Sequence, residues 1–249
     1  MRPIVIYFIL LVIYLLFFNK SEYFTLTNED DIKIIYQMLY DIDKILTINN
    51  VIYYIDGGTL LGAVRNNGII PWDDDGDICI FKHDENKFLN LKLQFLNMGY
   101  KIVKYWGGYK IYPINGKDIK YENANWEWND GENMKSVDKP IHKFPFVDVS
   151  IVSEKNNVVN YVNELMKDNY SKCYHLEEDL NNLKKYEFNG FTLIGPKNPN
   201  PYLDRCYGSN WNTVGKQLYD HLNMQFINKK ITDTEKLYKP ACPDFRVKK

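Results

Sequence analysis

From Ile32 to Leu46 apolar side chains recur every three or four residues, at Ile32, Ile35, Leu39, Ile42 and Leu46. That period puts them on one face of a helix. Thr27-Asn28-Glu29-Asp30, just before, offers a capping residue and first-turn acids, so the helix is expected to start there. Residues 51–55 then read as a strand, Gly57-Gly58 as the break that ends it, and 59–65 as a short helix stopped by Asn67-Gly68. Residues 78–81 form the next expected strand, and 84–96 return to helical spacing.

Further along, residues 100–105 and 109–114 read as paired strands joined at Gly107-Gly108. Residues 115–143 are polar, studded with tryptophan and irregular, which suits a long active-site loop or an insertion. Residues 144–152 (FPFVDVSIV) alternate like a strand, 158–167 suggest a helix, and 186–194 suggest a hairpin around Asn189-Gly190. A further short helix is expected at 201–207. There is no internal repeat and no low-complexity tract, and the sum is one α+β domain.

Residues 4–18 (IVIYFILLVIYLLFF) break the pattern, because no polar face interrupts them. The run is shorter than the ~20 residues of a comfortable membrane span and lies near the upper end of a signal-peptide core. The residues immediately after it (Asn19, Lys20, Ser21, Glu22, Tyr23) offer no A-x-A-like cleavage site. Residues 1–21 are therefore expected to be an uncleaved single-pass signal anchor, with 22–249 as the domain it carries. Cleavage would instead give a secreted protein. Asn-x-Ser triplets at Asn19 and Asn169 are compatible with an ER, Golgi or other extracytoplasmic location.

With 249 residues, 45% hydrophobic and 15% aromatic, the chain is long enough to bury a sizeable core. Its 31 basic and 32 acidic residues leave a net charge of −1, and no like-charged run suits a nucleic-acid polymer. Cys79, Cys173, Cys206 and Cys242 form no CxxC pair. Cys79 lies in a strand-like run and reads as a small buried apolar residue; the other three are free to pair in an oxidising lumen.

The candidate chemistry lies in Trp72-Asp73-Asp74-Asp75-Gly76-Asp77-Ile78. Two unit charges ~4 Å apart repel by roughly 4 kcal/mol at an effective dielectric of about 20, so such a cluster needs full solvation or a cation. Asp75 and Asp77 stand two residues apart at the mouth of a strand, so both point to one face. That arrangement suits one or two Mg²⁺ ions, or Mn²⁺, that also bind substrate phosphates. Asp148, centred in FPFVDVSIV, is the expected third acid. Upstream, Gly57-Gly58-Thr59 brings bare backbone N–H groups and a helix start toward a phosphate. Arg65, at the end of that helix, either offsets phosphate charge or is an exposed or Asp-paired arginine. Asp73 and Asp74 read as supporting groups. Lys110 is either a phosphate contact or a surface lysine, and Trp106, Trp126 and Trp128 either line an acceptor-sugar surface or pack in the core. His83, His142, His175 and His221 show no ligand spacing, so no histidine-based metal site is expected.

An EF-hand starting at Asp73 fails, with Ile78 at its sixth position and Asp84 at its twelfth. A glycosyltransferase D-x-D accounts for the acids and the anchor but not for the Gly-Gly-Thr turn. Strand, Gly-Gly turn, helix, D-x-D strand and later third acid together match a nucleotidyltransferase site of the polymerase-β kind. The segment GGTLLGAVRNNGIIPWDDDGDI at residues 57–78 closely resembles the core motif of the LicD family, which includes bacterial phosphocholine transferases and fukutin-related ribitol-phosphate transferases. Weaker echoes occur in FPFVDVSIV and in PYLDRCYG at residues 201–208. The resemblance spans about residues 30–211. It implies a polymerase-β-like fold with a mixed sheet, and transfer of a phospho-alcohol from a CDP-activated donor to a glycan hydroxyl. It also implies that Asp75, Asp77 and Asp148 bind metal and that Gly57, Gly58 and Thr59 form the phosphate-side turn. Gly76 stands where the family often has an apolar residue, and the cysteine-rich zinc insertion of some fukutin-related members is absent. A catalytically inactive relative serving as a binding subunit is the alternative of a different class.

Overall fold

The first expected helix forms as α1, Glu29–Ile48, in the computed structural model, which describes residues 26–105, 107–123, 142–231 and 234–248. The Asn28 side chain caps it by accepting the Asp30 N–H at 2.9 Å. Its periodic face, including Ile32, Ile35, Leu39, Ile42 and Leu46, is buried. Tyr36 on the same face accepts the Ile69 N–H and donates to the Ala241 carbonyl, both at 2.9 Å, so the helix holds two distant segments together. The expected anchor (1–21) and Trp106, Trp126 and Trp128 lie outside the described residues. No helix among the described residues is long and apolar enough to cross a membrane.

Strands β1 (Tyr53–Ile55), β2 (Gly76–Phe81), β3 (Tyr100–Tyr105), β4 (Gly108–Pro113) and β5 (Val147–Lys155) form a mixed sheet in the order β1-β2-β5-β4-β3. Strands β6 (Val158–Tyr161) and β7 (His175–Leu176) extend it from the far end of β5. The β2–β5 pair is parallel and its neighbours are antiparallel. A parallel pair requires a long crossover. Here the crossover carries α3 (Glu85–Asn90), α4 (Lys92–Asn97), β3 and β4. A nine-residue helix, α2 (Gly57–Arg65), joins the first two strands. After the sheet come α5 (Glu164–Asn169), α6 (Glu177–Leu180), the hairpin β8 (Lys184–Phe188) and β9 (Phe191–Gly195), and α7 (Asn200–Tyr207). The hairpin β10 (Gly215–Asp220) and β11 (Gln225–Ile231) and the short α8 (Thr234–Leu237) complete the described chain.

The α+β class with a mixed sheet is as expected, and most predicted elements appear within a few residues of their expected ends. Residues 158–167 depart from expectation, because they begin as a strand. Asn156 and Asn157 both adopt positive φ (54° and 63°) and turn the chain into a β5–β6 hairpin. The helix starts only at Glu164, where the Asn163 side chain accepts the Met166 N–H at 2.9 Å. The predicted helix over 84–96 is split into α3 and α4 at Leu91. The hairpin β10–β11 has no counterpart among the expected elements, since its alternation is mostly polar. Cys173 and Cys206 form a disulfide, while Cys79 and Cys242 remain free.

α1 lies directly on the start of β2. A methyl group added at Gly76 would come within 3.1 Å of Val147 Cγ2 and 3.2 Å of Leu39 Cδ2, so this glycine makes room for the helix. Leu39→Ala removes a fully buried contact beneath the acid loop, and a loss of about 2–5 kcal/mol is expected. It is measured as a lower urea midpoint at unchanged slope.

Candidate metal and phosphate site

The parallel register sets Asp77 of β2 beside Asp148 of β5, and the antiparallel register sets Asp148 beside Lys110 of β4. A row of charged side chains therefore crosses three adjacent strands. Asp75, on the residue before β2, completes the group, and ligand oxygens of Asp75, Asp77 and Asp148 lie within 4.8 Å of one another. The three acids expected to share a cation are thus brought together. That donor set, all carboxylate oxygen, fits Mg²⁺ or Mn²⁺.

The Gly-Gly-Thr segment is the first turn of α2 rather than a loop before it, and it bonds to the acids directly. Gly58 N–H donates to Asp77 Oδ2 at 2.8 Å, and Asp77 N–H donates to Thr59 Oγ1 at 2.8 Å. Gly57 has φ +51°, and a Cβ there would stand 2.6 Å from Asp77 Oδ2. At Gly58 a Cβ would stand 2.4 Å from Asp73 Oδ2. Both glycines are required because the carboxylates pass where a side chain would begin. Asp56, ahead of the turn, makes no capping bond. It is buried, meets His175 Nε2 at 2.8 Å, and accepts from Tyr161 Oη at 3.2 Å and Cys79 Sγ at 3.3 Å. The His175 ring stacks on Tyr202 of α7 at 4.1 Å, and the Tyr202 hydroxyl accepts the Gly57 N–H at 3.3 Å.

Burial and then mutual repulsion hold Asp73 and Asp77 well above the usual carboxylate range. Burial pushes Asp75 up to about 7; His221 and Lys110 oppose the shift, while Asp74 and Asp148 add to it. Burial would lower His221, but Asp75 and Asp74 raise it to about 10. Burial would raise Asp56, yet its contact with His175 outweighs that and leaves it below its usual value. The cluster thus gathers more negative charge than its surroundings neutralise, the condition a divalent cation relieves.

Lys110 is not a surface lysine. It is 3% exposed, meets Asp148 Oδ1 at 2.6 Å, and lies over the rings of Phe146 (3.5 Å) and Tyr105 (4.6 Å). Arg65 interacts electrostatically with Asp73 of the acid cluster, and its hydrogen bonds go elsewhere. It is buried and donates to the Trp211 carbonyl at 2.9 Å and to Asn66 Oδ1 at 3.0 Å, and burial lowers it to about 10. Asp74 Oδ1 lies 2.6 Å from His221 Nδ1. His221, which offers no ligand spacing in the sequence, joins Asp74 and Asp75 in a second group able to hold a metal. No local signal marks His221 or the Asp56–His175 pair, whose members lie 147 and 119 residues from their partners.

Asp77→Asn keeps an oxygen for the Gly58 N–H while removing a charge. It is expected to raise the melting temperature of the metal-free protein by about 2–4 °C per kcal/mol of repulsion relieved. Saturating Mg²⁺ or Mn²⁺ should stabilise the wild type by about 3 kcal/mol at one hundred times Kd and the variant far less, read by differential scanning fluorimetry. Asp56→Ala strips His175 and Tyr161 of a buried partner, and chemical denaturation should show a loss of about 3–5 kcal/mol.

A family model described as the LicD/FKTN/FKRP nucleotidyltransferase domain matches residues 50–198, which contain Gly57, Asp75, Asp77 and Asp148. The chain is similar to an uncharacterized protein of Rickettsia prowazekii, 31% identical over 240 residues, covering 90% of this chain and 78% of the relative. It is also similar to the lipopolysaccharide cholinephosphotransferase LicD of Haemophilus influenzae, 43% identical over 42 residues, 17% of this chain and 16% of that one. With the human ribitol 5-phosphate transferase FKRP it shares 48% identity over 40 residues, 16% of this chain and 8% of that one. The family match covers more than half of the chain and contains the acid triad and its glycine turn, so the protein belongs to the LicD/FKTN/FKRP family.

Proposed function

We propose that the protein is a metal-dependent phosphotransferase that moves a phospho-alcohol from a CDP-activated donor to a glycan hydroxyl. The observation that carries this reading is the meeting of Asp75, Asp77 and Asp148 at the glycine-lined start of α2. Family membership supports it, as do relatives named for cholinephosphate and ribitol-phosphate transfer. The reading includes a polymerase-β-like nucleotidyltransferase architecture.

In this reading Asp75, Asp77 and Asp148 hold Mg²⁺ or Mn²⁺. The bound ion supplies neutralising charge for the donor diphosphate and for the departing CMP. Gly57 and Gly58 place no side chain between the helix start and the acid cluster, beside which a donor phosphate would lie. The acceptor oxygen forms a bond to the phosphorus that carries the alcohol, and the bond from that phosphorus to the bridging oxygen of CMP breaks. Asp148, 32% exposed at its side chain and so open to the substrate side, accepts the proton of the attacking hydroxyl. Lys110 fixes the orientation of that carboxylate from behind.

The proposal also includes an extracytoplasmic location with residues 1–21 as anchor. Support comes from the Cys173–Cys206 disulfide and from Asn169, which is exposed at the end of α5.

The test offers the purified protein CDP-choline, CDP-ribitol and CDP-glycerol with Mg²⁺, and UDP- and GDP-sugars with Mn²⁺. CMP release from one CDP-alcohol is expected, with Asp77→Asn and Asp148→Asn each slower by more than about 100-fold. Turnover of nucleotide sugars alone would replace this reading with glycosyl transfer. Activity unchanged by Asp77→Asn would refute the assigned site.

A further inference from the structure

His221 sits in the turn between β10 and β11, beyond the residues that the family model matches. Trp72, at the head of the acid loop, pins this hairpin by donating Nε1–H to the Lys216 carbonyl at 3.0 Å. Asp74 then grips the histidine twice. Its Oδ2 accepts the His221 backbone N–H at 2.9 Å, and its Oδ1 lies 2.6 Å from Nδ1. The ring is boxed edge-to-face by Phe146 at 5.2 Å and Tyr219 at 4.8 Å. The backbone, one ring nitrogen and the ring itself are therefore held by neighbours, and Nε2 lies toward Asp75.

Nε2 stands 3.5 Å from Asp75 Oδ2. That exceeds the usual 2.7–3.2 Å of a hydrogen bond. It matches the separation, roughly 3–3.5 Å, of two donors bound at about 2.1 Å to one cation. Metal-binding histidines characteristically give their other ring N–H to a carboxylate, which fixes the tautomer and aims the free nitrogen. Asp74, His221 and Asp75 reproduce that order of carboxylate, imidazole and cation position. Neither Asp77 nor Asp148 belongs to this group, and Asp75 is common to both groups.

We propose that His221 Nε2 and Asp75 bind a second divalent cation beside the one assigned to Asp75, Asp77 and Asp148, with Asp74 as the positioning residue. The inference rests on the reading of that triad as a metal site. A nitrogen donor favours Mn²⁺ over Mg²⁺, because imidazole suits transition ions and Mg²⁺ prefers oxygen alone. Cation entry displaces the proton from Nε2 to solvent, and water or donor phosphate oxygens complete the coordination. The β10–β11 hairpin, outside the residues that the family model matches, thereby becomes part of the metal centre.

The test is pulsed EPR on the full chain loaded with MnCl₂ and no other ligand. Wild type is expected to show ¹⁴N modulation from a directly bound imidazole. His221→Ala should lose it and bind Mn²⁺ about 10–100-fold more weakly, with Mg²⁺ affinity changed less than about threefold. His221→Gln retains a polar contact for Asp74 and guards against a folding defect, and it should also lack the signal. Asp77→Asn, which impairs the all-oxygen site, should keep the signal. Absence of ¹⁴N modulation in folded wild type, or its persistence in His221→Ala, overturns the proposal. Because no donor or acceptor is present, a failure of the phosphotransferase reading leaves this measurement unaffected.

Discussion

Repulsion among carboxylates that the sheet forces together is the constraint around which the rest of this molecule is arranged. Asp77 and Asp148 are lateral neighbours in a parallel pair, and Asp75 joins them from the end of the same strand. Strands in register stand under 5 Å apart, so the two charges cannot separate without breaking the ladder. Each adjacent element answers that crowding. Lys110 supplies a cation from the next strand, His221 supplies one from a distant hairpin, and the first turn of α2 supplies an N–H to Asp77. What these leave uncompensated is the capacity of the site to bind a divalent ion.

The answers are built at two depths. At the cluster itself Asp148 and His221 are partly accessible, so an ion or phosphate is able to reach them. Beneath it lies a buried network in which His175, Tyr161 and Cys79 converge on Asp56 and Tyr202 stacks on the His175 ring, while His175 Nδ1 makes no hydrogen bond. A buried ion pair adds little net stability, but breaking one is expensive. Its effect here is to hold the residue before Gly57 in place, so the helix start meets the acids at a defined distance. The Cys173–Cys206 bond ties the segment before His175 to the helix that carries Tyr202, and so fastens the same platform from the side.

Local chemistry makes much of this legible. The period of α1, the glycine pair, the D-x-D spacing and the lone acid in an apolar strand are features of neighbouring residues, and each appears where expected. Residues 158–167 mislead because Val158 and Val159 fit either a helix or a strand, and the decision lies with two asparagines able to adopt positive φ. Arg65 shows a different limit of local reading. Its place at the end of α2 is as expected, but where a long side chain goes depends on what packs above it, and Trp211 and Asn66 capture it.

Spacing along the chain sets the class of fold, the order of strand, glycine turn, helix and acids, and which three carboxylates come together. Packing between distant segments sets what surrounds them. Lys110 became a buried counter-ion because β4 lies against β5, and His221 entered the cluster because Trp72 holds a C-terminal hairpin over the acid loop. Contacts across more than a hundred residues leave no periodic trace in a single chain. They arise from which faces remain to be covered once the sheet has formed.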